Sequence, residues 1–229
     1  MSDRPACRPL NGLYAITDSH LLPDDERLLD ACGQALEAGI ALLQYRDKSD
    51  DVVRRRRQSD ALAALCARYA TPLIVNDDLA LAGWLHERWG DGVGVHLGQQ
   101  DASVVTARAR LGDTAIIGAT CQGSLELAER AAGQGASYLA FGRFFASRTK
   151  PDAAPASLDV LAEAERFGLP RVAIGGIDRN TIGPTRTAGA EMLAVVHALF
   201  GTADVAGATR ELAAAIRATP LPNSVTERC

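Results

Sequence analysis

Three short stretches concentrate the side chains that hold phosphate and metal. Gln44-Tyr45-Arg46-Asp47-Lys48 places two cations beside a neutral amide, Asn76-Asp77-Asp78 places an amide beside two carboxylates, and His96-Leu97-Gly98-Gln99-Gln100-Asp101 ends on a further carboxylate. Later in the chain Ser147-Arg148-Thr149-Lys150 adds hydroxyls and cations, and Gly175-Gly176 adds two residues without side chains. Arg46, Lys48 and Lys150 as cations, with Asp77 and Asp101 as carboxylates, suit a polyphosphate bound through Mg2+. The hard cation takes carboxylate and phosphate oxygens, and ammonium and guanidinium groups neutralise the remaining charge. Gln44 and Asn76 supply neutral donors that do not compete for the metal. The glycine pair lets backbone approach a second ligand closely, and in many barrels the loops after the last two strands cradle phosphate with N–H groups. One anionic ligand with a metal and another without it, at one site, point to the joining of two phosphorylated molecules.

These residues meet only if the elements carrying them are neighbours. Eight short apolar runs recur along the chain: Leu13–Thr17, Ala41–Tyr45, Leu73–Asn76, Gly92–Leu97, Ala115–Ala119, Ser137–Phe141, Val172–Gly175 and Met192–Val196. Continuous apolarity, rather than alternation, is what a strand buried on both faces requires. Helical spacing occupies Asp24–Ala38, Asp50–Tyr69, Ser124–Ala132, Ser157–Arg166, Thr181–Ala188 and Asp204–Ala218. Strand–helix alternation eight times over predicts an α/β fold, a single (β/α)8 TIM barrel, with a doubly wound open sheet as the competing architecture. The barrel occupies residues 1–218, and the polar, Pro-containing 219–229 reads as a flexible tail. In a barrel every stretch above falls just after a strand, at the C-terminal mouth where barrel enzymes carry their chemistry.

Composition removes several other classes. The 24 Lys and Arg against 28 Asp and Glu give a net charge of -4, without the basic footprint of a general nucleic-acid binder. No apolar run approaches the roughly 20 residues that cross a bilayer, and the N-terminus lacks the apolar core of a signal peptide. Five scattered cysteines with no C-x-x-C pair disfavour a disulfide scaffold or a zinc ribbon. A cytoplasmic protein acting on small molecules, with no nucleic-acid or membrane partner, is the expectation.

The ordered set LYAITD, LLQYRDKS, LIVNDDLALA, GVHLGQQD, IIGATC, YLAFGRFFASRTK, VAIGGI and LAVVHALF resembles the thiamine phosphate synthase (thiamine-phosphate pyrophosphorylase) family, from about Leu13 to Phe200. The resemblance implies a (β/α)8 transferase. It would couple 4-amino-5-hydroxymethyl-2-methylpyrimidine diphosphate to hydroxyethylthiazole phosphate, or its carboxylated form, releasing thiamine phosphate and pyrophosphate. It further implies that Asp77 and Asp101 hold Mg2+. Gln44, Arg46, Lys48, Asn76, Thr120 and Lys150 would bind the pyrimidine diphosphate, with Lys150, Arg46 and Lys48 catalytic. Ser147, Thr149, Gly176, Val196 and His197 would bind the thiazole phosphate. Barrels of this kind often self-associate, so a homo-oligomer is possible. The chain departs from the family's usual residues at Thr120 (serine), Arg143 and Ala146 (proline), Ser147 (threonine) and His197 (serine). Ser147 keeps the hydroxyl; at His197 the backbone contribution is the part retained.

Simpler roles compete for several of these residues. Asp77 and Asp101 each precede a helix and could cap it, although Asp78 is the better cap candidate. Lys150 on a polar loop could be a solvated charge. His96 reads as a structural hydrogen-bonding residue, His20 and His86 as surface, Cys121 as a small core residue, and Arg54–Arg57 as a solvated helix face. Two other functions also compete. An isomerase acting on thiazole phosphate alone would not need the diphosphate-binding set. A metabolite sensor would need an output domain.

Overall fold

Strands that are apolar on both faces must be covered on both, which a sheet closing on itself and ringed by helices achieves. The computed structural model describes residues 10–146 and 155–222. Its strands β1 (Gly12–Ile16), β2 (Leu42–Tyr45), β3 (Leu73–Asn76), β4 (Val93–Leu97), β5 (Ile117–Gln122), β6 (Tyr138–Phe141), β7 (Arg171–Ile174) and β8 (Met192–Val195) pair in chain order, all parallel. Leu13 pairs with Leu193 and Ala15 with Val195, so β8 closes onto β1 and the open-sheet alternative is excluded. Helices α1 (Asp25–Glu37), α2 (Val52–Arg68), α3 (Leu79–Trp89), α4 (Val104–Leu111), α5 (Leu125–Gly133), α6 (Asp159–Glu163) and α7 (Ile182–Thr187) each follow one strand. The short α8 (His197–Phe200) and then α9 (Val205–Ala218) follow β8. The architecture is a single (β/α)8 barrel.

Capping explains where many of the helices start. Asp24, Asp51, Asp78, Ser103, Ser124 and Asp204 each accept a backbone N–H from the first turn of the helix they precede. Each cap contributes on the order of 1 kcal/mol. Asp78 therefore takes the role that Asp77 could have filled, and Ser103 takes the one open to Asp101. Besides the four-residue α8, two helices lie outside the stretches picked out by spacing. The first half of α3 is apolar nearly all round, and α4 opens on the β-branched pair Val104-Val105, so neither shows a clean polar face. The expected helix at 157–166 is a short α6 that tightens into a 3-10 turn over Ala164–Phe167.

Two apolar layers hold the barrel. Outward-facing strand residues such as Leu43, Val75, Val95 and Leu139 pack against the helices. Inward-facing Tyr14, Ile16, Leu42, Ile74, Tyr138, Val172, Met192 and Ala194 fill the interior. Strand periodicity then decides what lies above the interior layer. Two residues on from Leu42 and Ile74 come Gln44 and Asn76, and two on from Gly94 and Gly118 come His96 and Thr120. The apolar plug thus ends in a polar ceiling at the mouth. At the opposite end Arg171, buried to 1% exposure, pairs with Glu191 and donates to the Leu161 carbonyl. Among the described residues no helix is long and apolar enough to cross a membrane.

Candidate active site

The loop leaving β3 brings the charges together. Asp77 adopts a left-handed backbone (φ 63°), a conformation that aspartate tolerates better than most residues. Its N–H continues the ladder to the His96 carbonyl (2.8 Å). Asp77 accepts a hydrogen bond from the Lys48 ammonium and lies in hydrogen-bonding contact with the Asp101 carboxyl. Burial opposes its charge, but the bonds from Lys48 and Asp101 prevail and hold the Asp77 carboxyl below the usual carboxylate range. Asp101 shifts the other way. Burial and the Asp77 charge outweigh the Gly98 N–H that Asp101 accepts at 2.6 Å, and its carboxyl is pushed up. Two carboxylates this close share a proton and titrate as a unit.

That pair is the test for a divalent cation. Among the described residues no group of three or more His, Cys, Asp and Glu forms a full metal cage. Two converging carboxylates fit Mg2+, which keeps several waters and takes its remaining oxygens from substrate phosphate rather than from a complete protein shell.

The other described candidates for the pyrimidine diphosphate lie at the ends of β2, β3 and β5. Arg46 follows β2, lies 3.7 Å from Asp18 and takes a backbone bond from its N–H to Thr17 Oγ1 (2.8 Å). Asn76 ends β3 beside Asp77, and Gln44 on β2 is buried. Thr120 on β5 meets His96 Nε2 at 2.9 Å, and its carbonyl accepts from Gln99, which Arg130 holds. His96 is thus the structural hydrogen-bonding residue expected. Asp18, Tyr14 and Tyr138 were not among the expected site residues. Asp18 lay inside a quoted strand motif, and the two tyrosines read as ordinary apolar strand positions.

The other half of the mouth is backbone. Gly176 has φ 67°, and a Cβ there would meet the Ala146 carbonyl and the Phe145 side chain, so only glycine fits. Val196 immediately precedes α8, and half-buried His197 is its first residue. Ser147, Thr149 and Lys150 lie outside the described residues. Cys121 is buried, and burial pushes its thiol up to about 12; it is a core residue rather than a nucleophile.

Arg54, Arg55 and Arg57 do more than face solvent. They reach Asp47 (2.8 Å), Asp78 (2.7 Å) and Asp25 (2.7 Å) on neighbouring elements. The arginine run therefore fastens α2 to the loops that carry Lys48 and Asp77.

A (β/α)8 barrel with cations, paired carboxylates and a glycine-lined rim at its C-terminal mouth has the layout of a barrel enzyme's active site. Residues 13–199 match the thiamine monophosphate synthase family, and the chain belongs to that family, whose members are transferases. Among solved structures, a thiamine phosphate pyrophosphorylase from Pyrococcus furiosus is 31% identical with a TM-score of 0.80, over 92% of this chain and 98% of that one. More distant barrels share the fold alone. A 3-hexulose-6-phosphate synthase is 20% identical (TM-score 0.65, 90% of this chain and 99% of that one). An orotidine 5'-phosphate decarboxylase from Pyrococcus horikoshii is 14% identical (TM-score 0.64, 89% and 99%).

Proposed function

We propose that the protein condenses 4-amino-5-hydroxymethyl-2-methylpyrimidine diphosphate with hydroxyethylthiazole phosphate to give thiamine phosphate and pyrophosphate, or with its carboxylated form to give the same products and CO2, a proton taking the place of the carboxylate. The observation that carries this reading is the convergence of Lys48, Asp77 and Asp101 at the mouth of a barrel of this family. Lys48 and Arg46, with Lys150, neutralise the diphosphate, while Gln44, Asn76 and Thr120 orient the pyrimidine. Gly176 and the backbone of Val196 and His197, with the hydroxyls of Ser147 and Thr149, receive the thiazole phosphate. Asp77 and Asp101 would hold Mg2+, which would supply positive charge to the departing pyrophosphate.

On this reading pyrophosphate departs before attack. The carbon–oxygen bond breaks, pyrophosphate keeps the electron pair, and the electron-rich aminopyrimidine stabilises the exocyclic cation. The thiazole nitrogen then forms the new carbon–nitrogen bond. No proton must be removed from the nucleophile, so no general base is required. The chain's contribution is to position two ligands and stabilise the leaving group.

The direct test mixes the full-length protein with both precursors and Mg2+ and follows thiamine phosphate and pyrophosphate together. Equimolar appearance of the two supports the reading; a folded sample that forms neither refutes it.

A further inference from the structure

Beneath the mouth five side chains form one uninterrupted hydrogen-bonded chain across the barrel. Gln44 Nε2 donates to Tyr14 Oη (2.6 Å), Tyr14 Oη lies 2.8 Å from Tyr138 Oη, Tyr138 Oη meets His96 Nδ1 (3.0 Å), and His96 Nε2 meets Thr120 Oγ1 (2.9 Å). The links come from β2, β1, β6, β4 and β5 in turn, so no local sequence pattern contains the chain. Tyr138 stacks on His96 with ring centres 5.6 Å apart and meets Tyr14 edge-on at 5.9 Å. Its ring fits because Gly118 on β5 has no side chain; a Cβ there would overlap it.

Proton counting gives the chain a direction. Each hydroxyl has one hydrogen to give. With the Gln44 amide donating to Tyr14, the Tyr14 proton goes to Tyr138, and the Tyr138 proton goes to His96 Nδ1. With a neutral imidazole, His96 then carries its proton on Nε2 and donates to Thr120. Burial pushes both phenols well above their ordinary range, so both stay protonated as the chain requires. The two ends are thereby fixed. Gln44 is left with its carbonyl Oε1 as acceptor, and Thr120 with its hydroxyl hydrogen as donor.

We infer that Tyr14, Tyr138 and His96 are positioning residues that hold Gln44 as an acceptor and Thr120 as a donor, and so select a 4-aminopyrimidine over its 4-oxo counterpart. An exocyclic amino group donates where the oxo group accepts, and the unprotonated ring nitrogens of an aminopyrimidine accept. This selection rests on the proposed pyrimidine-diphosphate reading. Either end misoriented would leave a substrate polar group without its partner, which discriminates strongly at a desolvated site.

The experiment compares Tyr138→Phe and Tyr14→Phe with the unaltered enzyme. Each substitution keeps the ring and deletes one hydroxyl. The expected result is a KM for the pyrimidine diphosphate raised about tenfold, the order expected of one broken hydrogen bond. KM for the thiazole phosphate stays unchanged, and the preference for the 4-amino over the 4-oxo diphosphate collapses toward one. Because a relay cut once is already cut, the double variant behaves like either single one rather than as their product. A folded variant with unaltered pyrimidine KM and selectivity overturns the inference, as does an equal rise in both KM values. If Tyr138→Phe does not fold, Tyr14→Phe reads the same Oη–Oη link from its other side. Calorimetric binding of the 4-amino and 4-oxo diphosphates, each without thiazole phosphate, tests the relay independently of turnover. Lost selectivity in the variants supports it and retained selectivity refutes it, whereas failure of the unaltered enzyme to form product counts against the proposed reaction alone.

Discussion

The two ends of the barrel use the same kinds of charge for opposite purposes. At the floor, the first residue of β7, Arg171, makes a two-pronged pair with Glu191 (2.8 and 3.1 Å) and takes the Leu161 carbonyl at 2.8 Å. Glu191 also accepts the Arg171 backbone N–H at 2.7 Å. Their side chains are 1% and 13% exposed. At the mouth, Lys48 and Asp77 pair with side chains 59% and 27% exposed, and Asp77 touches a second carboxylate. The floor pair is desolvated and saturated with partners, so nothing can replace either member cheaply. The mouth cluster is partly open to solvent and sets two carboxylates beside one ammonium, so an incoming cation and polyphosphate can reorganise it. Partner saturation and access, rather than residue type, separate structure from chemistry here.

Removing one floor partner gives the largest expected effect. Glu191→Ala leaves the Arg171 guanidinium buried without its counter-charge, a loss of about 4 kcal/mol of stability. A thermal melt should fall by about 10 °C, while KM for both substrates of the folded fraction stays as before. Activity lost in step with stability fits this division; a selective change in KM breaks it.

At the mouth the expectation inverts. Lys48→Ala should lower kcat roughly 10²–10³-fold by analogy with loss of a charge-stabilising donor. The melting temperature should move little, because exposed ion pairs contribute only about 0–1 kcal/mol. A destabilisation comparable to that of Glu191→Ala would show that the mouth cluster is structural after all.

Asp47 lies between these extremes. It sits in the loop with Arg46 and Lys48, yet its side chain is 1% exposed and holds Arg54 at 2.8 Å and the Ser49 N–H at 2.8 Å. Burial pushes its carboxyl up, but the Ser49 and Arg54 bonds outweigh burial and hold it below the usual range. A depressed folded pKa contributes stability that is full above the unfolded value of about 4 and lost as pH falls through the folded value. Asp47→Asn should therefore cost about 2 kcal/mol at neutral pH, with the gap to the unaltered protein narrowing in acid unfolding below pH of about 4. A gap independent of pH would remove the carboxylate from that account.

How much was legible follows from how far each interaction reaches. All eight apolar runs fall on strands, because burial on both faces leaves a local signature. The mouth residues were legible once the strands were placed, since a strand's end fixes where the next side chains go. Partners were not. The run Arg54–Arg57 reads as a solvated face because only Asp47 is near in sequence, and Asp78 and Asp25 lie 23 and 32 positions away. Tyr14 and Tyr138, 124 positions apart, look like apolar strand residues; the available hint was a tyrosine on one strand facing a glycine, Gly118, on the next. The alternatives left open for Asp77 and Asp101 closed only when Asp78 and Ser103 were seen to cap the helices.

The smallest expected effect probes the proton held at the mouth cluster. Asp101 is pushed up by burial and by Asp77, so it holds its proton to higher pH than an ordinary aspartate. On the proposed reading Mg2+ must displace that proton, and proton release accompanies metal binding. The half-saturating Mg2+ concentration should thus be flat at any pH above that raised value. It should rise by at most about tenfold per pH unit once pH falls below the raised value, since a single proton competes. Asp101→Asn removes the competing proton, and with it this limb of the pH dependence, while weakening Mg2+ throughout. A Mg2+ titration whose midpoint tracks pH equally in Asp101→Asn and in the unaltered enzyme would assign the proton elsewhere than Asp101.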